Sequence, residues 1–145
     1  MKTINQESVS EVTRKGACLA FFDAYSDLDT ARMIGLATAD ATVHFQPLGN
    51  DGKGTFWEFG KAVWQLLIDC FPNLDNTVDT LTAEGDTVLC RVAIYGTQEK
   101  EFMGLVSKGK TFNSDHVFVF QFDNADRITH LNINWDHTDF VRQLS

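Results

Sequence analysis

Several common signatures are missing from this chain. It has no CxxC pair, no HxxxH pair, no carboxylate cluster at ligand spacing and no glycine-rich phosphate loop after a strand. The usual sequence grounds for a thiolate zinc site, a histidine metal site or a nucleotide site are therefore absent. No metal and no cofactor is the expectation. Basic residues are also scarce: 12 Lys and Arg against 20 Asp and Glu leave a net charge of −8. That balance argues against nucleic acid and against anionic membrane surfaces as partners. No apolar run approaches the ~18 residues that span a bilayer. The N-terminal MKTINQESVSEV carries no apolar segment of signal-peptide type, so a cytoplasmic location is expected. Cys18, Cys70 and Cys90 are odd in number, far apart and set among apolar residues, which predicts reduced thiols in or near a core. Repeats, low-complexity stretches and linkers are lacking as well. The 145 residues read as one domain, 1–145.

What the chain has in quantity is phenylalanine, twelve in all. Five apolar or aromatic positions of Lys110–Asp136 organise the rest. Phe112, His116, Phe118, Phe120 and Phe122 share one parity, while Thr111, Asn113, Asp115, Val117, Val119 and Gln121 take the other. Successive strand side chains point to opposite faces, so this stripe predicts a long strand with one buried face. After the polar turn Asp123–Asp126 a return strand divides Thr129, Leu131, Ile133 and Trp135 from Ile128, His130, Asn132 and Asn134.

Upstream, Ser8-Val9-Ser10-Glu11 fits a capping box for a helix to about Tyr25, with Val9, Val12, Gly16, Leu19 and Ala20 at helical spacing. Asp27–Thr30 breaks it and offers a cap for a short helix, Ala31–Ala37. Ala41–Gln46 reads as a strand ended by the turn Pro47–Gly52. Thr55-Phe56-Trp57-Glu58 is a second capping box. It opens a helix to about Cys70 with an apolar stripe of Phe56, Phe59, Val63, Trp64, Leu67 and Ile68, stopped before Pro72. Strands are predicted over Thr77–Ala83, Thr87–Gln98 and Phe102–Val106, and a closing helical segment over Asp136–Leu144. Helices first and antiparallel strands afterwards is an α+β pattern, with three N-terminal helices on one face of a curved, mostly antiparallel sheet.

Five local motifs carry a family resemblance. Cys70-Phe71-Pro72-Asn73-Leu74 resembles the "afPDl" of the SnoaL-like polyketide (ester) cyclases. Glu84-Gly85-Asp86-Thr87-Val88 is similar to their "gDxV", and Gly96-Thr97-Gln98 stands where they have "GTh". Phe102-Met103-Gly104 with Ser107-Lys108-Gly109-Lys110 resembles "fxGxxptGk", and Asp136 to Gln143-Leu144 resembles "D…QLG". The resemblance implies the cone-shaped nuclear-transport-factor-two-like fold, an internal pocket for a small hydrophobic molecule, and pairing into a homodimer through the open sheet face. It also implies cofactor-free cyclase chemistry, although a fold of this kind hosts many functions. The family's "IvEhWDvwD" supplies a catalytic Asp. A gapless alignment puts Ile133 in its place and Asp136 on the second Asp, whereas a three-residue shift brings Trp135-Asp136 onto "WD" but breaks the C-terminal match. Thr42–Gly49 also resembles the "TVEDPVG" of ketosteroid isomerases, with Gln46 where their base stands. An amide takes up no proton at neutral pH.

Candidate site residues follow. His116, on the Phe parity, can serve as a general acid or base, or can be a hydrogen-bonded lining residue. His44 is expected near the pocket mouth, and Gln46 beside it is expected to line the pocket. Asp136 is either a carboxylate over the pocket or a helix cap. Trp57, Trp64, Phe102, Met103, Phe118, Ile133 and Trp135 are expected to line a site for a flat apolar ligand, or simply to fill the core. His130 belongs to a polar outer face, and His137 is expected at the surface. Two functional classes result: an acid–base cyclase or isomerase, and a non-catalytic binding or assembly module that has lost the acid. They are separable by geometry, because the first needs at least two of His44, His116 and Asp136 at a common cavity.

Overall fold

The computed structural model describes residues 7–145; the first six, on which part of the N-terminal reading falls, lie outside the described residues. The helix α1 (Val9–Ser26) begins with the predicted capping box. Ser8 Oγ accepts from the Glu11 amide at 3.1 Å, and a Glu11 carboxylate oxygen accepts from the Ser8 amide at 2.9 Å. The buried face of α1 is not the predicted one. Val9, Val12 and Leu19 are exposed, while Cys18, Phe21, Phe22 and Tyr25 are buried. Both sets have helical spacing, and the aromatic set wins because it removes more apolar area from water.

The short α2 (Thr30–Ile34) ends earlier than predicted, because Ala37 already belongs to β1 (Ala37–Phe45) and pairs with Ile128. The chain Gln46–Gly52 is a kinked 3-10 turn, followed by the short strand β2 (Lys53–Thr55), which the sequence reading missed. A single π-helical turn, Phe56–Gly60, leads into α3 (Lys61–Cys70). The π turn seats Phe59 over Gly54, where a Cβ would lie 2.4 Å from the Phe59 Cβ. Then come β3 (Asp75–Glu84), β4 (Thr87–Thr97), β5 (Thr111–Phe122), β6 (Ile128–Trp135) and α4 (His137–Leu144).

The six strands form one sheet in the order β2-β1-β6-β5-β4-β3, antiparallel except for the β1–β6 pair. This is the α+β architecture expected, helices packed on one face of a mostly antiparallel sheet. The Phe parity of β5 is buried throughout, Ser114 included. On β6 the expected parity breaks once. A register shift lies between Gln121, which pairs His130, and Phe122, which pairs Ile128, so Thr129 is an extra residue. A bulge of this kind moves the preceding side chain to the other face, and Ile128 is fully buried instead of outward.

Phe102–Val106 is not a strand. Phe102 and Leu105 exchange backbone hydrogen bonds of 3.0 and 2.8 Å around a tight turn in which Met103 and Gly104 have φ of 48° and 83°. A chain that reverses in two residues cannot continue a ladder. Gln98, fully buried, holds this loop by donating its amide to the Lys100 and Leu105 carbonyls at 3.0 and 2.8 Å.

Two aromatic clusters fill the interior. Phe21 and Phe22 of α1 meet Phe120 and Phe118 edge-on at 5.3 and 4.9 Å, and Phe21 also packs on Trp64 at 5.4 Å. Toward the other end, Phe71, Phe102, Phe112 and Phe140 pack on one another, Phe112 and Phe140 at 4.8 Å. The loop ends of the sheet are tied back to α1 by Arg14. Its guanidinium donates to the Gly85 and Asp123 carbonyls at 2.7 and 3.2 Å and pairs with Asp126 at 2.9 Å.

Candidate active site

A cavity lies where the two aromatic clusters leave room, lined by residues from both. Tyr25 comes from α1, Phe45 and Leu48 from β1 and the turn after it, and Val63, Trp64 and Leu67 from α3. The sheet contributes Ile94, Phe112, His116, Phe118, Ile133 and Trp135; the β4–β5 loop adds Phe102 and Met103, and α4 adds Phe140. The cavity is about 50 Å³, room for a few waters. A compact flat ligand therefore fits only as the mouth gives way. Met103, 52% exposed, is the lining residue at the surface and is flexible enough to do so.

Three lining side chains carry a polar group: Tyr25, His116 and Trp135. The indole of Trp135 is already committed, donating to His137 Nδ1 at 3.2 Å. His137 itself stacks on Phe140 at 5.7 Å, so it is a support for Trp135 more than a surface group. His116 is 9% exposed, stacked on Trp135 at 5.4 Å, with Nδ1 3.0 Å from the Ser114 carbonyl. A carbonyl only accepts, so Nδ1 carries the hydrogen and the neutral ring keeps Nε2 as a lone pair. Burial lowers the His116 pKa from 6.5 to about 4, outweighing the Ser114 carbonyl and the Asp115 charge, which raise it. At neutral pH this is an uncharged imidazole in an apolar cavity.

Tyr25 is a cavity residue that the sequence reading missed. It is 3% exposed and borders the cavity. Burial alone pushes its pKa up, so it stays a phenol. The signal was available: Tyr25 continues the Cys18, Phe21, Phe22 stripe by one turn, and a tyrosine on a buried stripe brings a polar tip inside.

Of the expected lining residues, Trp64, Phe102, Met103, Phe118, Ile133 and Trp135 do line the cavity. Trp57 does not. It is 41% exposed and donates its indole N–H to the Thr38 carbonyl at 3.0 Å. His44 and Gln46 are also elsewhere, in an open depression on the other face of the sheet with Lys53 and Asn134. The reason is parity: Val43 and Phe45 are buried, so His44 between them faces outward. There it shares a face with His130, whose Nδ1 lies 2.7 Å from the Thr42 hydroxyl. Asp136 is exposed and caps α4, accepting from the Asp139 amide at 3.0 Å. The three acid–base candidates thus do not meet: of them His116 alone lines the cavity, so the condition of two such groups at a common cavity is not met. Ile133, in the place of the family's acid on the gapless alignment, lies within it. Among the described residues no three His, Cys, Asp or Glu side chains group as a metal site. No helix among them is long and apolar enough to cross a membrane.

Similar folds are known. AclR from Streptomyces galilaeus, assigned as a hydroxylase, shares 21% identity over 92% of this chain and 96% of its own, with a TM-score of 0.80. A protein from Jannaschia sp. CCS1, assigned as a SnoaL-like polyketide cyclase, superposes with a TM-score of 0.87 at 19% identity, over 97% of each chain. IdmH from Streptomyces antibioticus, assigned as a polyketide cyclase, gives 0.78 at 24% identity over 90% of this chain and 97% of its own. At these identities the likeness is one of fold. No curated protein matches the chain by sequence. The family described as SnoaL-like polyketide cyclase matches residues 17–144, which takes in the second half of α1, the cavity and the C-terminal helix. The chain belongs to the SnoaL-like polyketide cyclase family.

Proposed function

We propose that this protein binds a compact, mainly apolar metabolite in the interior cavity, without a cofactor, beside His116 as the one acid–base candidate able to exchange a proton with it. The neutral His116 imidazole in an otherwise apolar cavity carries this reading. A buried imidazole that is unprotonated at neutral pH can accept a proton, and the imidazolium formed is tolerated only while an anion sits beside it. Proton uptake is thereby coupled to formation of an enolate-like ligand, which is what a cyclase or isomerase of carbonyl compounds needs. The test begins with native mass spectrometry of the purified protein for a retained small molecule. Turnover of the compound found is then compared between wild type and His116→Ala. Turnover unchanged in the variant removes His116 from the chemistry.

A second reading, a binding or assembly module without catalysis, is favoured by the lining itself. Among the described residues no carboxylate lines the cavity, and Ile133 stands where the gapless alignment puts the family's acid. A retained ligand that is released chemically unchanged under all conditions would support it.

We also propose a cytoplasmic homodimer, paired through the sheet face that bears Thr42, His44, His130 and Asn132, with neither nucleic acid nor membrane as partner. The face is polar and half-exposed, and reduced Cys18, Cys70 and Cys90 suit that compartment. Light scattering that reports a monomer at micromolar concentration overturns the dimer.

A further inference from the structure

One wall of the cavity is an irregular segment, residues 98–110 between β4 and β5. Phe102 and Met103 reach the cavity from it, and Met103 is the exposed member of the lining. Over residues 99–110 Phe102 is the one buried side chain. At about 50 Å³ the cavity admits a ring compound only when a wall moves, and a segment with a single buried side chain moves at least cost. Gln98 fastens this segment at its root. Its side-chain amide donates to the Lys100 and Leu105 carbonyls at 3.0 and 2.8 Å, and its backbone carbonyl accepts from the Ser107 hydroxyl at 2.9 Å. The other half of the amide is idle: Gln98 Oε1 is buried and has no hydrogen-bond partner among the described residues. A buried acceptor left unpaired forfeits its hydration, so the closed segment carries a cost that lifting it returns by wetting Oε1. The two amide donations, and Phe102 packed on Phe71 and Phe140 at 5.6 and 6.0 Å, hold the segment down against that cost. Met103, with φ of 48°, adds backbone strain at the tip.

We propose that residues 98–110 form a strap over the cavity and that Gln98 is its latch, so that the metabolite passes when the Phe102–Val106 tip lifts off Gln98. This rests on the cavity being the ligand site, while the latch itself is testable without any ligand. In the closed form Phe102 and Met103 complete the apolar lining beside His116. In the open form the Lys100 and Leu105 carbonyls and Gln98 Oε1 are all hydrated, and Phe102 leaves Phe71 and Phe140. Closing over a bound apolar ligand restores the Phe102 packing and adds contact with the ligand, so occupancy favours the closed form.

The test uses Gln98→Met in the full chain, which keeps the length of the side chain and removes both donations. Passage is followed by stopped-flow fluorescence with 2-naphthol, a flat ring compound, as the probe. Association and dissociation should both quicken about fivefold in the variant, with affinity unchanged within about twofold, because a gate alters passage and not the bound state. Unchanged rates, or a change in dissociation alone, overturn the latch. Limited digestion with trypsin reads the strap without a ligand. Cleavage after Lys100 should be about fivefold faster in the variant, with cleavage after Lys61 of α3 unchanged within about twofold. Equal acceleration at both sites is general loosening and overturns the latch, as does no acceleration at Lys100. If 2-naphthol does not bind wild type, the cavity reading falls and passage with it, while cleavage after Lys100 still decides whether Gln98 latches the strap. Should Gln98→Met fold poorly, Ser107→Ala takes its place. It removes the strap's bond to the Gln98 carbonyl and should speed cleavage after Lys100 about twofold; no change there overturns the latch.

Discussion

Replacing His116 by Gln should remove a specific pH dependence of stability. Gln keeps an N–H for the Ser114 carbonyl, so the variant isolates the titration more than the packing. In the unfolded chain this imidazole takes a proton near pH 6.5; in the folded protein it does so near 4. Between those values the unfolded state binds the extra proton, so lowering the pH favours unfolding. The contribution of the neutral buried ring is fully present above pH 6.5 and is lost as pH falls toward 4. The whole window corresponds to about 3 kcal/mol, and the step from pH 7 to pH 5 to about 2 kcal/mol. Urea denaturation of both proteins at the two pH values, followed by tryptophan fluorescence, measures it. His130, whose pKa burial and the nearby His44 also lower, titrates in both proteins and cancels in the difference. Wild type should lose about 2 kcal/mol more than the variant on going to pH 5. Equal losses, or an imidazole that titrates near 6.5 by NMR in the folded protein, would refute the buried neutral state.

Three further outcomes follow from the packing. Arg14→Met leaves the Gly85 and Asp123 carbonyls and the Asp126 carboxylate without their shared guanidinium, and should cost about 3 kcal/mol in urea; a change under 0.5 kcal/mol, roughly the scatter of surface substitutions, would mean the tie contributes nothing. Gly52→Ala puts a Cβ 2.3 Å from the Phe45 carbonyl oxygen, a backbone atom that cannot step aside, so a loss of about 1–3 kcal/mol is expected by thermal or chemical unfolding. Cys18, Cys70 and Cys90 are buried, and the Cys18 and Cys70 thiols are held above their ordinary pKa, Cys18 mainly by a hydrogen bond with Cys90 and Cys70 mainly by burial. A thiol reagent should label the native protein slowly and the urea-unfolded protein completely; fast labelling of the folded protein contradicts that burial.

The sheet was legible because its signal is repeated. Five aromatic or apolar residues of one parity on β5 fix the register, and a one-residue slip would expose them all. The helix starts were legible through caps, and Ser8 with Glu11 behaves as read. What failed rested on single residues. Ile128 changed face because a bulge at Thr129 has no marker in the sequence. Phe102–Val106 looked like a strand by composition, but the left-handed backbone at Met103 and Gly104 folds it into a turn. The buried face of α1 went to the phenylalanines over an equally periodic aliphatic set. His44 was placed at the pocket although its neighbours Val43 and Phe45 already argued for the outer face. Tyr25 lies in the last turn of α1, where its ring continues the buried stripe into the cavity. The misplacing of His44 and the omission of Tyr25 both come from weighing residue type before side-chain direction.

The central claim is that the interior cavity, and no other surface, takes the ligand, beside His116. NMR of the ring resonances during a titration with 2-naphthol tests it most directly. Shifts are expected at His116 and Tyr25, which line the cavity, with His44 and His130 on the outer face unmoved. Shifts confined to His44 and His130, or none at His116 when the probe binds, would contradict it.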